Sequence, residues 1–279
     1  MGYCMMTTIG FIGGGNMARS LINGLLANGL SPESVWVAEP DEARRAELAA
    51  SLGVQVCADN TTVVATVEAL VLAVKPQQMQ TVCEEIAATA QRHRPLIISI
   101  AAGLRLAALE HWLGAGLALV RTMPNTPALV QCGMTALLAN AQANTEQHAL
   151  AESILRAVGM TLLLDNEAQM DAVTALSGSG PAYFFLVMEA MQQAGEQLGL
   201  SADTARSLTL QTALGAATMA TESSAPPATL RQQVTSPGGT TERAIGILQQ
   251  GGLESLFAHA LTGARDRSAE LAELLGGGR

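Results

Sequence analysis

The feature that most restricts this chain is the run Gly13-Gly14-Gly15-Asn16-Met17-Ala18. It follows an apolar strand candidate at 8–12 and opens a stretch with helical spacing at 16–28. A G-x-G-x-x-A turn between a strand and a helix gives each small residue a task. Gly13 permits the tight turn, Gly15 lets the backbone approach a pyrophosphate, and Ala18 keeps the helix close to the strand. The phosphates then sit at the helix start, by Asn16 and Met17, where backbone N–H groups lack intrahelical partners. The context is that of a dinucleotide-binding unit: strand before, helix after, second strand on schedule.

The pattern continues on both counts. Strand candidates recur at 35–39, 54–57, 69–74, 96–100 and 117–122, then at 134–139 and 161–164, with helical spacing at 42–51 and 77–90. Strands alternating with helices imply βαβ units and a mainly parallel sheet. The strands are apolar throughout, as expected when both faces are covered. The last two are expected to pair antiparallel at an edge. The fold class is therefore α/β, with an N-terminal Rossmann-type domain over 7–165.

From residue 167 the period changes. Good helix formers dominate, interrupted near 199–201, 226–227, 237–239 and 251–252, and Ser201 with Asp203 reads as an N-cap and first turn. Residues 166–275 are assigned to a C-terminal all-helical domain. The stretch 208–220 (LTLQTALGAATMA) is apolar or small nearly all round, so a helix there is buried on most sides. A domain of about 110 residues has too little interior for several such helices. They are expected to pack on another subunit, making the chain a homo-oligomer.

Composition excludes several classes. Of 279 residues, 49% are apolar and 14% charged, which argues against disorder. No apolar run approaches the ~20 residues of a membrane span, and no basic region precedes an apolar stretch at the N-terminus, so neither membrane nor secretory signal is expected. Met1-Gly2 resembles the start of a myristoylation signal, but Met6 stands where Ser or Thr is wanted. Translation starting at Met5 or Met6 would agree with the position of the first strand, so residues 1–5 need not be native. A net charge of −9 disfavours nucleic acid as a partner. Cys4, Cys57, Cys83 and Cys132 form no C-x-x-C pair and read as reduced thiols of a cytoplasmic protein. His93, His111, His148 and His259 are far apart, so no metal site is expected.

An acidic chain that binds an anionic cofactor must supply local donors. The second strand ends at Glu39, about twenty residues past the turn, where a carboxylate can bond a ribose 2′-OH and would repel a 2′-phosphate. Arg44 and Arg45 follow and can offset it, which leaves NADPH against NADH open. Among the 15 Lys and Arg residues Lys75 is the only lysine, and Ala73-Val74-Lys75-Pro76 ends a strand, where ligands of open α/β sheets bind. Ala101, Ala102 and Gly103 end the next strand, and Met123-Pro124-Asn125-Thr126 the one after. Small residues there leave room for a flat ring.

Together the segments FIGGGNMA (11–18), AVKPQ (73–77), SIAAG (99–103), RTMPNTPALV (121–130), DAVTALSGSGPAYFF (171–185) and VTSPGGTTERAI (234–245) resemble the pyrroline-5-carboxylate reductase family in order and spacing over nearly the whole chain. The resemblance implies reduction of the cyclic imine 1-pyrroline-5-carboxylate to L-proline by NADPH or NADH. It implies a homodimer with interlocked helical domains, assembling further into rings such as decamers, and an active site between the nucleotide domain of one subunit and the helical domain of its partner. It places nucleotide contacts on the 13–18 turn, on Asn60, on Ala73, Val74, Lys75 and Pro76, and on residues 100–102. Substrate-carboxylate contacts fall on Gly239, Thr240 and Thr241, and Thr174 lies near the substrate nitrogen. The chain departs from the family at Ala38-Glu39-Pro40, where many members carry Ser, Asn or an Asn-Arg pair, and at Glu222, which is offset from a glutamate of some relatives and is given no role.

The residues suit that chemistry. A protonated imine accepts hydride readily, so a strong general acid is not required, and the chain has no well-placed His or carboxylate pair. The protein's share is orientation and electrostatics. Residues 237–241 lead into a helix expected at 241–248, a good place for a carboxylate. Ser177-Gly178-Ser179-Gly180-Pro181 interrupts a helical run at 171–193 and is expected to make a bend or a close packing site facing the nicotinamide. A β-hydroxyacid dehydrogenase is the nearest rival, but such enzymes use a lysine of the second domain and no lysine follows Lys75. A dinucleotide sensor without turnover is the other.

Overall fold

The structure is a computed structural model and describes residues 7–276. The Met1-Gly2 pair, Cys4 and the alternative starts at Met5 and Met6 lie outside the described residues. In chain order the first part runs β1 (Ile9–Ile12), α1 (Asn16–Ala27), β2 (Val35–Ala38), α2 (Glu42–Leu52), β3 (Gln55–Cys57), α3 (Asn60–Thr66), β4 (Ala69–Leu72), α4 (Pro76–His93), β5 (Leu96–Ser99), α5 (Leu106–Leu113), β6 (Leu119–Met123), β7 (Gly133–Ala139), α6 (Thr145–Arg156) and β8 (Gly159–Leu163). The eight strands form one sheet in the order β3-β2-β1-β4-β5-β6-β7-β8. The chain winds outward from β1 in one direction through β3 and then from β4 in the other. Between β1 and β4 the order reverses, and the strand ends there open a crevice.

Both faces of the sheet are covered, which is why the strands carry no polar alternation. On β4, Ala69 and Val71 join a core with Phe11, Leu21, Leu25 and Ile154, while Leu70 and Leu72 join a second core with Met79, Ile86, Leu109 and Trp112. Burying each large side chain contributes roughly 1.5–3 kcal/mol. The short helix α3 has no marked apolar period and is rich in β-branched residues, which are poor helix formers. Asp59 initiates it by accepting hydrogen bonds from the Thr61 and Thr62 N–H groups.

The expectation for the last two strands needs correction. The antiparallel pair is β6 with β7, whereas β8 lies parallel to β7. The reason is the connection. Helix α6 is a crossover that returns the chain to the starting end of β7, and a helical crossover joins parallel strands. Direction therefore reverses once, across the loop from Pro124 to Cys132.

Beyond β8 the chain is helical: α7 (Gln169–Val173), a π-helical turn (Thr174–Gly178), α8 (Gly180–Gln197), α9 (Ala202–Glu222), α10 (Pro227–Gln233), α11 (Thr240–Gln250) and α12 (Leu253–Gly276). Ser201 caps α9, its hydroxyl accepting from the Thr204 N–H. Two compact units result, one running up to Ser179 and resuming at Ala264, the other Gly180–Gly263. The change of period near 165 and this division do not coincide, because α7, the π turn and the last part of α12 belong with the sheet. In the second unit Phe184, Phe185 and Leu186 on α8 and Leu208 and Leu214 on α9 are exposed in the single chain. No described helix is long and apolar enough to cross a membrane.

Candidate active site

The crevice beyond β1, β2 and β4 has a volume of about 670 Å³, within the range of cofactor pockets. Gly13 turns the chain with φ +97°, and its N–H donates to the Ala38 carbonyl at 2.8 Å. A Cβ there would lie 2.8 Å from the Ala73 carbonyl oxygen. Gly15 differs. It is the N-cap of α1 at φ −72°, no side chain caps the helix, and a Cβ on it would meet nothing within 4 Å. The opening of α1 thus presents bare N–H groups to empty space, with no acidic residue in its first turn. A pyrophosphate fits such a cradle, since helix N-termini favour anions.

Of the residues expected to hold the nucleotide, Gly13, Gly15, Glu39, Asn60, Ala73, Val74 and Lys75 line this crevice. Asn16 and Met17 begin α1, and Ala18 is buried behind them. Lys75 is the N-cap of α4, with Pro76 as the first helical residue. Asn60 Nδ2 donates to Glu85 Oε2 at 3.1 Å.

Glu39 is almost fully enclosed, at 5% exposure. Its Oε2 accepts from the Gly14 N–H at 3.0 Å and its Oε1 from the Asp41 N–H at 3.1 Å. The carboxylate that sequence reading aimed at a ribose therefore also ties the glycine turn to the loop after β2. Nearby cations are engaged as well. Arg45 Nη1 donates to the Glu39 and Pro40 carbonyls, each at 2.8 Å. Arg19 makes a two-fold contact with Glu47 at 2.7 Å, which holds the Glu47 carboxyl below the usual carboxylate range.

A second cavity of about 370 Å³ adjoins the first, Gln77 lining both. It brings together Pro76, Ala102, Gly103, Thr174 and Ser179 with Arg267 of α12; Ala101 is buried beside it in sequence. Thr174 opens the π turn, and its Oγ1 donates to the Met170 carbonyl at 2.9 Å. With the hydroxyl proton so committed, the oxygen lone pairs are left to accept. Ser268 of α12 donates to Asp171 Oδ1 at 2.7 Å and ties this wall together.

The Ser177–Pro181 segment is a close packing site, built around the π turn. Pro181 has no N–H for the carbonyl four residues earlier, that of Ser177. Asn125 Nδ2 donates to the Ser177 carbonyl at 3.2 Å instead, while its Oδ1 accepts from the Met134 N–H at 2.9 Å. A Cβ on Gly178 would run into the end of the Met123 side chain. The sequence marks Asn125 only as part of a small-residue turn; the pairing of its half-buried amide with the carbonyl that Pro181 cannot serve is the signal for its role. The sequence leaves a second pair unmarked. Arg121, 3% exposed on β6, donates from Nη1 to Glu167 Oε1 at 2.7 Å, and the same oxygen accepts the Leu106 N–H at 2.8 Å.

Gly239, Thr240 and Thr241 lie in the other unit, at the start of α11. Gly239 is its N-cap and no side chain caps it, so the first N–H groups are free of a capping acceptor. The helix starts at Thr240, one residue before the expected position. Gly238 has φ +70° and donates to Glu242 Oε2 at 2.7 Å.

Residues 167–271 match the family described as pyrroline-5-carboxylate reductase dimerisation, and residues 8–103 that described as NADP oxidoreductase coenzyme F420-dependent. The chain is 54% identical over 268 residues to the pyrroline-5-carboxylate reductase of Pseudomonas aeruginosa, covering 96% of this chain and 98% of the relative. Among solved structures, a pyrroline-5-carboxylate reductase from Coxiella burnetii superposes with TM-score 0.92 at 47% identity, covering 95% and 98% of the two chains. A pyrroline carboxylate reductase from Plasmodium falciparum with NADP bound gives 0.85 at 29% identity, covering 96% and 99%.

Proposed function

The chain belongs to the pyrroline-5-carboxylate reductase family, and on that premise we propose that it reduces 1-pyrroline-5-carboxylate to L-proline with NADPH or NADH, the last step of proline biosynthesis. It is an NAD(P)H-dependent oxidoreductase. The observation that carries the reading is the uncapped α1 start in front of an open crevice, which shares Gln77 with the lining of the cavity that holds Thr174.

The nicotinamide cofactor, when bound, supplies the hydride. The chain's residues do the rest. Gly13, Gly15, Asn16, Met17 and Ala18 receive the pyrophosphate, with Lys75 as the cation of the opposite wall. Glu39, Asn60, Ala73, Val74 and Pro76 border the nucleotide, and the small side chains of Ala101 and Ala102 leave room for the nicotinamide ring. Thr174 is the residue we assign to the reacting nitrogen. Its hydroxyl donates to Met170, so it accepts from an N–H and orients a protonated imine. That role needs no strong acid, because the imine arrives charged. Gly239, Thr240 and Thr241 take the substrate carboxylate at the uncapped start of α11.

We assign 7–165 to nucleotide binding and 166–275 to substrate binding and dimerisation. The dimerisation match over 167–271 and the exposed apolar residues of α8 and α9 support two subunits interlocked through these helices, with dimers able to build a ring such as a decamer. A cytoplasmic location fits thiols outside any C-x-x-C pair. The test is spectrophotometric oxidation of NADPH and of NADH with pyrroline-5-carboxylate. Imine-dependent oxidation is expected; none with either cofactor, in folded protein that binds both, would overturn the assignment.

A further inference from the structure

Three arginines and two carboxylates lie around the end of β2, and of these Arg44, Glu39 and Asp41 line the crevice. Arg45 is pinned by its guanidinium to the Glu39 and Pro40 carbonyls. Arg19 is held by Glu47 and does not line the crevice. The Glu39 carboxylate is enclosed and spends one oxygen on the Gly14 N–H and the other on the Asp41 N–H. Two N–H groups directed at a carboxylate hold it in place. Asp41 caps α2, its Oδ1 accepting from the Arg44 N–H at 2.8 Å. Arg44 remains. It is exposed and lines the crevice, and its charge is felt at a distance by Glu47, whose carboxylate is itself held by Arg19. It sits in the first turn of α2, where a cation opposes the helix dipole. An exposed guanidinium held there at some cost to the helix suits a phosphate, which it can grip with two parallel N–H bonds.

We propose that Arg44 takes the 2′-phosphate of the cofactor and makes this crevice accept NADPH, while Glu39 is a positioning residue for the glycine turn and does not gate the 2′ position. The inference rests on the nucleotide reading of the crevice. Glu39 acts through Gly14: its carboxylate fixes the middle glycine of the turn, and so the line of N–H groups offered to the pyrophosphate that both cofactors share. Arg44 touches only what distinguishes the two cofactors.

The experiment is equilibrium binding without turnover. NADPH and NADH are titrated by their fluorescence, and adenosine 2′,5′-bisphosphate by calorimetry, on the intact protein and on R44A, R44K and E39Q. In R44A the ratio of NADPH to NADH affinity should fall about tenfold or more, the scale of a lost charge-assisted contact. Affinity for the bisphosphate should fall alongside it, and R44K should recover part of both. In E39Q an amide NH₂ faces a backbone N–H, so NADPH and NADH should weaken by a common factor with their ratio kept. An unchanged ratio in R44A, or a selective gain of NADPH affinity in E39Q, would overturn the proposal. If the unaltered protein binds neither dinucleotide, the nucleotide reading itself fails and this inference with it.

Discussion

Replacing Gly13 and Gly15 separately by alanine should divide folding from binding, although the two glycines are two residues apart. At Gly13 the added Cβ must be carried at φ +97°, which costs about 1–2 kcal/mol for an L-residue. It would also stand 2.8 Å from the Ala73 carbonyl oxygen, a backbone atom at the end of β4 that cannot rotate away. Such overpacking costs typically another 1–3 kcal/mol. The sum, about 2–5 kcal/mol, should lower the melting temperature by roughly 5–15 °C for a chain of this size. At Gly15 the geometry is ordinary, φ −72°, and the space beyond is open. Gly15→Ala should cost no more than about 1 kcal/mol, from the poorer N-cap. Yet that open space is where a pyrophosphate would meet the helix start, so the methyl group should weaken NADPH and NADH alike by about 1–3 kcal/mol, or roughly 5- to 150-fold. The assay is a thermal melt with and without cofactor beside a fluorescence titration. An unstable G15A, or a G15A that melts normally and binds either dinucleotide with unchanged affinity, would refute the assignment of that space to phosphate.

Three further outcomes follow from the geometry. Glu167→Ala removes the partner of the enclosed Arg121 and the acceptor of the Leu106 N–H; denaturant unfolding should show a loss of about 3 kcal/mol, the lower end for breaking a buried pair because Glu167 is partly exposed, and a loss under 1 kcal/mol would show that water replaces it. Thr174→Val keeps the β-branched shape but no hydroxyl, so stability should stay within about 0.5 kcal/mol while kcat falls about tenfold; full turnover with unchanged substrate affinity would remove Thr174 from the mechanism. Cys83 lies wholly buried on the inner face of α4, and desolvation pushes its thiol up from 9.0 to about 12. The unfolded chain therefore releases that proton first, so the contribution is fully present below about pH 9 and is lost as pH rises toward 12. The alkaline stability profile of Cys83→Ala should be flatter than that of the parent over this window, and identical profiles would contradict the burial argument.

Helix-forming and strand-forming segments were legible because their cause is local. Apolar runs of four or five residues cannot be half-exposed strands, and the spacing of Met79, Cys83, Ile86 and Ala90 declares one buried helix face. The short helix α3 was not, since Asp59 rather than any apolar period creates it. The direction of β8 was not, because an edge strand carries the same residues whichever way it runs, and only the α6 crossover decides.

The glycine turn, the strand ends and a helix start near residue 241 were readable in the sequence alone, because a backbone that must approach an anion or turn at positive φ needs glycine at fixed offsets from a strand or helix; that α11 begins at Thr240 without a side-chain cap was not. The contacts that allocate charge were not. Whether Glu39 faces a ribose or a backbone N–H, which of two adjacent arginines is spent on carbonyls, and that Asn125 satisfies the carbonyl Pro181 leaves without a donor all depend on residues brought together from distant parts of the chain. Spacing along a sequence records what one element needs; hydrogen bonds and ion pairs act over about 3 Å, so only the packing of β1, β2 and the π turn against their neighbours could assign those partners.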